Sequence, residues 1–232
     1  MFTTSAEFYD AINSFRDYEA QSRKLTELVE ARFPEAHTML DVACGPHEHA
    51  LHLVPRFEID GVDLNPVFIE KARTKNPAGR YEVADMRNFD MGRTYDVVTC
   101  LFSSIAYMQS DEDLAVAIAM YKKHTVKGGL IFVEPWLTPD SVAENHVGMT
   151  TYEGDALAIC RMNTLKVEGR KCVLDFDYMI GRPTGIETFK EVHTTTLFTH
   201  DEMMVGFAAN NLVPAYDPEG FIGRGLYIAR VE

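Results

Sequence analysis

The sequence predicts an α/β fold in which helices cover a largely parallel β-sheet. Between residues 37 and 136, short apolar runs of strand length alternate with helix-like segments, as they do in successive βα units. The first run leads into a turn containing Gly and Pro, and three later runs end in acidic residues. Because the carboxyl ends of parallel strands meet at one edge of a sheet, we expect a binding site at that edge.

The composition fits one well-buried domain with a small appendage. The chain has 232 residues, of which 46% are hydrophobic, and a formal charge of −13. This acidic total argues against a protein that follows nucleic acid phosphates, although it leaves room for a local basic groove. Four cysteines are few for this length and predict reduced thiols. With no apolar run of ~20 residues and no leader-like segment after Met1, we expect a soluble, cytoplasmic protein that does not enter the membrane.

Helices are predicted ahead of the first strand. Residues 5–32 carry apolar side chains at near-helical spacing and stop at Pro34, which indicates one or two amphipathic helices. We assign residues 1–36 to an N-terminal helical cap, within which lie Tyr9, Arg16 and Tyr18.

The first two βα units carry the strongest sequence signal. A short strand ends at Asp41-Val42-Ala43 and runs into the turn Cys44-Gly45-Pro46-His47 and a helix. About twenty residues further on, a second strand of the same pattern ends at Asp63. An acid in this position of a dinucleotide-binding fold accepts both hydroxyls of a ribose, so Asp63 is a candidate ribose ligand.

The next unit repeats the arrangement. A helix begins at Asn65, a good N-cap, with Pro66 in its first turn. A third strand at 80–86 follows, and Asp85 and Met86 stand at its end. A second carboxylate is therefore expected at the same edge of the sheet.

Two more strands complete the predicted parallel part. The run at 95–102 is almost continuously apolar and is predicted at the centre of the sheet. A helix at 114–124 follows, which we expect Lys127-Gly128-Gly129 to stop. The fifth strand, at 129–136, is polar where it leaves the sheet, at Glu134.

The pattern changes after residue 148. Strand-like runs without intervening helices lie at 157–162, 171–180 and 190–198. They predict an antiparallel β insert over residues 149–198. The segments 37–148 and 199–232 then form the main domain, with Thr199 as the cap of a helix and a last strand at 226–231.

Five segments carry a family resemblance: Asp41-Val42-Ala43-Cys44-Gly45, Ala84-Asp85-Met86-Arg87-Asn88-Phe89, Thr99-Cys100-Leu101-Phe102-Ser103-Ser104-Ile105, Val133-Glu134-Pro135-Trp136 and Gly223-Arg224-Gly225-Leu226. Their order resembles that of class I methyltransferases dependent on S-adenosylmethionine (SAM). Within this class they are similar to the N,N-dimethyltransferases of nucleotide-linked amino sugars, the desosamine and mycaminose type. The resemblance implies a Rossmann-like sheet, SAM as cofactor, S-adenosylhomocysteine as product and an amine on a small polar molecule as acceptor.

The resemblance also implies a cofactor site. Its members are Tyr9, Arg16, Tyr18, Asp41, Ala43, Gly45, Asp63, Leu64, Asp85, Met86 and Phe102. Gly45 would lie against the methionine portion of SAM, because a residue without Cβ lets the main chain approach closely. Asp63 would bind the ribose, Asp85 with Met86 the adenine, and Arg16 the carboxylate.

The acceptor site implied by the resemblance consists of Tyr107, Trp136, His193 and Arg224. Tyr107 stands where the amino-sugar enzymes often have a histidine. Tyr9, Tyr107 and Glu134 would position the acceptor and receive or relay its proton. A neutral amine is a sufficient nucleophile, so alignment and water exclusion are the main tasks. Arg224 or Arg182 would meet the phosphates of a nucleotide-linked acceptor.

One departure leaves alternatives open. Gly45-Pro46-His47 replaces the second glycine of the usual Gly-x-Gly turn by an imidazole, which either points outward, helps to bind the cofactor carboxylate or weakens cofactor binding.

Three functions remain open. N-methyl transfer is favoured over O- or C-methyl transfer, which demands a base such as His193 or Glu134. A SAM-fold binding protein with impaired transfer is the third reading. His47, His49 and His52 have no convergent partners, so we expect no metal. The insert would complete the pocket or form the face of a homodimer.

Overall fold

The computed structural model describes residues 2–232, which form two β-sheets and six α-helices. The helices are α1 (Tyr9–Ile12), α2 (Tyr18–Glu30), α3 (Ala50–Leu53), α4 (Pro66–Lys75), α5 (Asp111–Lys123) and α6 (His200–Ala208), with 3-10 helices at Thr4–Phe8 and Ser104–Tyr107. The main sheet contains β1 (Thr38–Val42), β2 (Glu58–Asp63), β3 (Tyr81–Val83), β4 (Tyr95–Cys100), β5 (Thr125–Val133), β10 (Ala215–Asp217) and β11 (Leu226–Arg230). The second sheet contains β6 (Val147–Gly154), β7 (Leu157–Glu168), β8 (Lys171–Arg182) and β9 (Gly185–Thr196).

The main sheet has the strand order β3-β2-β1-β4-β5-β11-β10. Strands β1 to β5 pair in parallel, whereas β11 is antiparallel to both of its neighbours. The predicted central position of β4 is confirmed, since three strands lie on each side of it. The strand order reverses between β1 and β4, and such a reversal opens a crevice at the carboxyl ends of the two strands.

Both faces of the main sheet are buried, because neighbouring strand residues point to opposite sides. Met39 and Val97 join a core with α2 and α3, and Leu40 and Val98 join a core with α5 and α6. This double coverage confirms the predicted α/β fold.

Two helix starts follow the local rules that predicted them. The side chain of Asn65 accepts the N–H of Val67 at 2.9 Å, with Pro66 at the first helical position of α4. Thr199 and Glu202 form a reciprocal capping box at the start of α6. These caps satisfy main-chain donors at positions that the sequence identifies.

The predicted end of α5 lies within one residue of the observed one, but the predicted stop signal is wrong. The helix ends at Lys123, and the segment Lys127-Gly128-Gly129 lies within β5. The N–H of Gly128 donates to the carbonyl of Val231 at 2.7 Å, so the glycine pair is taken into the sheet by a distant part of the chain. A contact of this kind leaves no local signal.

The antiparallel sheet has four strands rather than the three predicted. The additional strand, β6, begins at Val147, just ahead of the predicted start of the insert. Five of its eight residues are exposed and two are glycines, so the apolar pattern is weak. The strand forms because its backbone pairs with β7 along its whole length. The short edge strand β10 was missed for the same reason.

Candidate active site

The turn after β1 exposes main chain at the carboxyl edge of the sheet. Ala43, Gly45 and His47 have φ values of 57°, 55° and 63°. A Cβ built on Gly45 would meet no atom within 4 Å, so the backbone there borders open space. A ligand can therefore approach this main chain closely, as the resemblance to SAM enzymes requires.

Asp63 connects this turn to the end of β2. Its Oδ2 accepts the N–H of Gly45 at 2.9 Å, and its Oδ1 accepts the N–H of Asn65 at 2.8 Å. Burial raises the pKa of Asp63, while the N–H groups of Asn65, Gly45 and Leu64 act in the opposite direction. A carboxylate has about four lone-pair directions, so two remain for the hydroxyls of a ribose.

A cavity of about 410 Å³, here called the cofactor cavity, opens between this turn and the N-terminal segment. It brings together seven of the predicted cofactor residues: Tyr9, Ala43, Gly45, Asp63, Leu64, Asp85 and Met86. Phe2, Phe68 and Tyr107 also line it, and the first two were not predicted because only the fold brings them here.

Asp85 is held by a neighbouring arginine. The Arg87 guanidinium donates to both carboxylate oxygens, at 3.0 and 2.6 Å, and also to Asp113 of α5 at 2.9 Å. The hydrogen bonds from the Arg87 side chain keep the pKa of Asp85 low. Asp85 is thus an oriented, ionised acceptor at the wall of the cofactor cavity.

Phe102 and Ser103 form a strained turn after β4, with φ values of 51° and 62°. Glu134, at the end of β5, supports this turn by accepting the N–H of Phe102 at 2.7 Å. Burial raises the pKa of Glu134, and its Oε1 has no hydrogen-bond partner within residues 2–232. Glu134 lies beneath the turn and does not line either of the two larger cavities.

Arg16 stacks on this turn. Its Cζ lies 4.5 Å from the centre of the Phe102 ring, and His49 and Tyr18 contact the same ring at centroid distances of 4.7 and 5.6 Å. The Arg16 Nε donates to Asn13 at 3.1 Å, and no carboxylate within residues 2–232 forms an ion pair with Arg16. Its guanidinium is available for an anionic ligand.

A second cavity of about 950 Å³, here called the acceptor cavity, adjoins the first. All four predicted acceptor residues line it: Tyr107, Trp136, His193 and Arg224. Its other cationic lining residues are Arg16, Lys24 and Arg161, whereas Asp17 is the single acid among its lining residues. The two cavities share Phe2, Tyr9, Ser104 and Tyr107.

Of the two arginines considered for phosphates, one reaches the acceptor cavity. The Arg224 Cζ lies 4.2 Å above the Trp136 ring, and its NH1 donates to Ser103 at 3.3 Å. Burial lowers the pKa of Arg224, and the nearby carboxylate of Glu134 raises it. Arg182 lies outside the acceptor cavity, where it forms ion pairs with Glu7 and Glu187.

Tyr107 contacts the antiparallel sheet at the junction of the cavities. Its hydroxyl lies 2.7 Å from Nδ1 of His193, and Nε2 of His193 lies 3.5 Å from Oε2 of Glu191. Glu191 also binds the N-terminal segment by accepting hydrogen bonds from Thr3 and Ser5. Tyr107 and His193 are 86 residues apart in the chain, so only the fold brings them together.

The reading of His47 as an outward-pointing side chain is wrong. Its imidazole is buried beneath the turn, with Nδ1 2.7 Å from the Tyr81 hydroxyl and Nε2 3.5 Å from Asp41. Burial lowers the pKa of His47 to about 3 and raises that of Asp41 to about 7, against the hydrogen bond from Thr99. Neither side chain lines the cofactor cavity. Asp41, His47 and Tyr18 line a small space against the turn, which shares Tyr9, Ala43 and Gly45 with the cofactor cavity.

The other histidines of the turn do not assemble with His47. His49 Nε2 lies 3.2 Å from the Gln21 side chain, and within residues 2–232 no group of three or more His, Cys, Asp or Glu side chains could hold a metal ion.

Several known proteins have a related sequence and a similar fold. A family described as a methyltransferase domain matches residues 39–129. The dTDP-3-amino-3,6-dideoxy-alpha-D-glucopyranose N,N-dimethyltransferase of Streptomyces fradiae is 33% identical over 226 residues, which are 96% of this chain and 89% of that protein.

Two solved structures extend the comparison. Streptomyces venezuelae DesVI superimposes with a TM-score of 0.92 at 30% identity, covering 100% of this chain and 99% of its own. SAM-bound CalS10, an amino pentose methyltransferase from Micromonospora echinaspora, superimposes with a TM-score of 0.87 at 28% identity, covering 100% and 98%.

Fold, cofactor cavity and relatives together define a SAM-dependent methyltransferase. More narrowly, the chain belongs to the family of N,N-dimethyltransferases of nucleotide-linked amino sugars. The resemblance seen in the sequence is confirmed.

Proposed function

We propose that this enzyme transfers methyl groups from SAM to the amino group of a nucleotide-linked amino sugar. The observation that carries the proposal is the acceptor cavity, which is large, lined by cations and continuous with the cofactor cavity at Tyr9 and Tyr107. A chain of net charge −13 concentrates positive charge here, as a diphosphate-linked acceptor requires. The S. fradiae relative is named for a dTDP-linked amino sugar.

The cofactor fits the residues that face its cavity. Asp63 would bind the ribose and Asp85 with Met86 the adenine. The open backbone of Gly45 suits the methionine portion, and the guanidinium of Arg16, which lines the adjoining acceptor cavity, would meet its carboxylate. When bound, SAM supplies an electrophilic methyl group on a sulfonium.

The acceptor side aligns the amine and keeps out water. Arg224, Arg161 and Lys24 would meet the phosphates, while Tyr9 and Tyr107 stand where the two cavities join. Burial raises the pKa of Tyr9 to about 12, so its phenol stays protonated and can both donate and accept a hydrogen bond. Holding the amine in line with the transferred methyl supplies most of the rate enhancement that such a reaction needs.

A product assay tests the proposal. The purified enzyme is incubated with SAM and a dTDP-linked amino sugar, and mass spectrometry counts the methyl groups added. Two matched acceptors serve as controls: the same dTDP-sugar with a hydroxyl in place of the amine, and the same amino sugar without the nucleotide. We expect methylation of the complete acceptor only. Methylation of the hydroxyl analogue instead would establish O-methyl transfer and overturn the proposal.

We also propose that the enzyme is a homodimer joined through the outer face of the antiparallel sheet. The pairing register places Met149 beside Met162 and Cys160 beside Met179 on this face. Met149 is 66% exposed and Ile186, on the same face, is 72% exposed. Contiguous exposed apolar side chains of this kind mark an interaction surface.

We infer a reducing compartment such as the cytoplasm as the place of action. All four cysteines are free thiols. In the part of the chain that the structure describes, none of the helices is long and apolar enough to cross a membrane. Fractionation of cells that express the tagged protein tests the assignment.

A further inference from the structure

The junction of the two cavities contains a buried polar chain that the alignment of substrates does not require. Tyr107 lines both cavities, and its hydroxyl lies 2.7 Å from Nδ1 of His193. The opposite ring nitrogen of His193, Nε2, lies 3.5 Å from the Glu191 carboxylate. His193 and Glu191 are both almost fully buried. Tyr107, His193 and Glu191 thus form a row of three titratable groups that leads from the junction of the cavities into the protein.

The partners determine the protonation of this chain. Glu191 accepts from the N–H and hydroxyl groups of both Thr3 and Ser5, and although its burial favours the neutral acid, these hydrogen bonds hold its pKa below the usual range. A carboxylate that faces Nε2 favours the tautomer with its proton on that nitrogen. Nδ1 of His193 is then an acceptor, and the Tyr107 hydroxyl donates to it.

The reaction creates a need for such an acceptor. An amine with a pKa of about 8, the value of an α-amino group, is mostly an ammonium at pH 7, and an ammonium has no lone pair with which to attack. A second methylation requires a further deprotonation, because the first transfer leaves a methylammonium. Each transfer therefore releases a proton inside a water-poor site.

We propose that Tyr107 and His193 accept this proton and that Glu191 is the positioning residue that orients the imidazole. The ammonium N–H bond breaks as its proton bonds to the Tyr107 oxygen, while the proton of Tyr107 moves to Nδ1 of His193. The amine regains its lone pair, and an imidazolium forms beside the Glu191 carboxylate. The imidazolium then transfers its Nδ1 proton to a water molecule in the acceptor cavity, which His193 lines, so the ring is neutral again. The inference rests on the proposed amine acceptor.

The surroundings keep His193 and Tyr107 uncharged between transfers. Burial lowers the pKa of His193 to about 4; Glu191 acts against this shift and Arg161 adds to it. The ring is therefore neutral at pH 7 and returns to neutrality between transfers.

The phenol of Tyr107 is also neutral. Burial, together with the neighbouring Tyr9, Tyr178, Asp63 and Glu191, raises the pKa of Tyr107, so the phenol passes the proton on without remaining ionised. Phe2 and Phe176 pack edge-on against His193.

The pH dependence of activity tests the proposal. His193→Asn keeps an acceptor for the Tyr107 hydroxyl but cannot hold a proton, and Glu191→Gln removes the charge beside the ring. The matched control is His200→Asn, which alters a histidine 2.9 Å from the Tyr227 hydroxyl and outside both cavities. For each protein, kcat/KM for the amino-sugar nucleotide is measured from pH 6.5 to pH 9, and S-adenosylhomocysteine affinity by calorimetry.

We expect His193→Asn to lose about 100-fold in kcat/KM at pH 6.5, within the range of general-base contributions, and to approach the wild type at pH 9, where an amine of pKa about 8 is already neutral. Glu191→Gln should lose less kcat/KM at pH 6.5 and should also approach the wild type at pH 9. His200→Asn should keep the kcat/KM of the wild type at every pH. A loss that is equal at all pH values would overturn the relay and leave the amine acceptor intact. A wild-type enzyme that binds S-adenosylhomocysteine but methylates no amine would overturn the proposed function, and the relay with it.

Discussion

The Tyr81 hydroxyl lies 2.7 Å from Nδ1 of His47, beneath the turn that borders the cofactor cavity. The same hydroxyl accepts a hydrogen bond from the side chain of Asn76 at 2.9 Å, so it donates to the imidazole. The histidine that replaces the usual glycine is therefore a buried support. The His47 side chain does not obstruct the cofactor cavity. This argues against the hypothesis of a SAM-fold binding protein with impaired methyl transfer.

Restoring glycine at this position should lower stability and spare cofactor affinity. His47→Gly removes a buried ring from beside Tyr81 and Asp41, which should lower the free energy of unfolding by about 2–4 kcal/mol. Glycine adopts the positive φ of this position without strain, which should restore about 1 kcal/mol. We expect a lower free energy of unfolding in urea and an S-adenosylhomocysteine Kd within about threefold of wild type, since 3-fold is under 1 kcal/mol. A large loss of affinity at unchanged stability would place His47 in contact with the cofactor.

Because of Asp41, the folded state should lose stability as the pH rises from about 4 to about 8. Its pKa is raised by burial from 3.8 to about 7, so the folded state binds a proton more tightly than the unfolded chain does. The stability that this contributes is complete below about pH 4 and is lost as the pH rises through about 7. Relative to wild type, Asp41→Asn should gain up to about 4 kcal/mol in unfolding free energy between pH 4 and pH 8. A gain that does not vary with pH would contradict the shift.

Loss of the Asp63 carboxylate should abolish tight cofactor binding. Charge-assisted hydrogen bonds contribute about 1.5–3 kcal/mol each, and Asp63 also holds the N–H of Gly45. We expect Asp63→Ala to weaken S-adenosylhomocysteine binding by at least about 30-fold in calorimetry. Asp140→Asn, at an exposed acid that lines neither cavity, is the matched control and should bind normally. Equal affinity of the Asp63 variant would remove it from the cofactor site.

Arg224 and Arg182 distinguish two positions for the acceptor phosphates. Arg224 lines the acceptor cavity and Arg182 does not, so Arg224→Gln should raise KM for the nucleotide-linked acceptor by about 10- to 100-fold, from the loss of charge-assisted bonds. KM for SAM should change little. Arg182→Gln should behave as wild type in the same steady-state assay, and the reverse result would move the phosphates to the far end of the insert.

The outer face of the insert should control the oligomeric state. Two charges placed on this face by Met149→Glu with Met162→Glu should convert a dimer to a monomer in sedimentation velocity, because they would be buried without partners. Val205→Glu, at a similarly exposed apolar residue on α6, should stay dimeric. A monomeric wild type at micromolar concentration would exclude this interface.

Much of the fold was readable from short segments. The apolar run of β4 predicted its central position, and the side chains of Asn65 and Thr199 predicted the starts of α4 and α6. In each case neighbouring residues supply the physical cause. β6 was missed because its residues carry little apolar pattern and depend on pairing with β7.

Strand patterns, caps and the order of acids and glycine are local signals, so they predict the α/β fold and the position of Asp63, Asp85 and Gly45 at one edge of the sheet. The enzyme class followed from the family resemblance. The buried position of His47 and the contact between His193 and Tyr107 emerge only in the folded protein. These relations join residues far apart in the chain. Side-chain direction and distant partners are set by packing, which no short segment encodes.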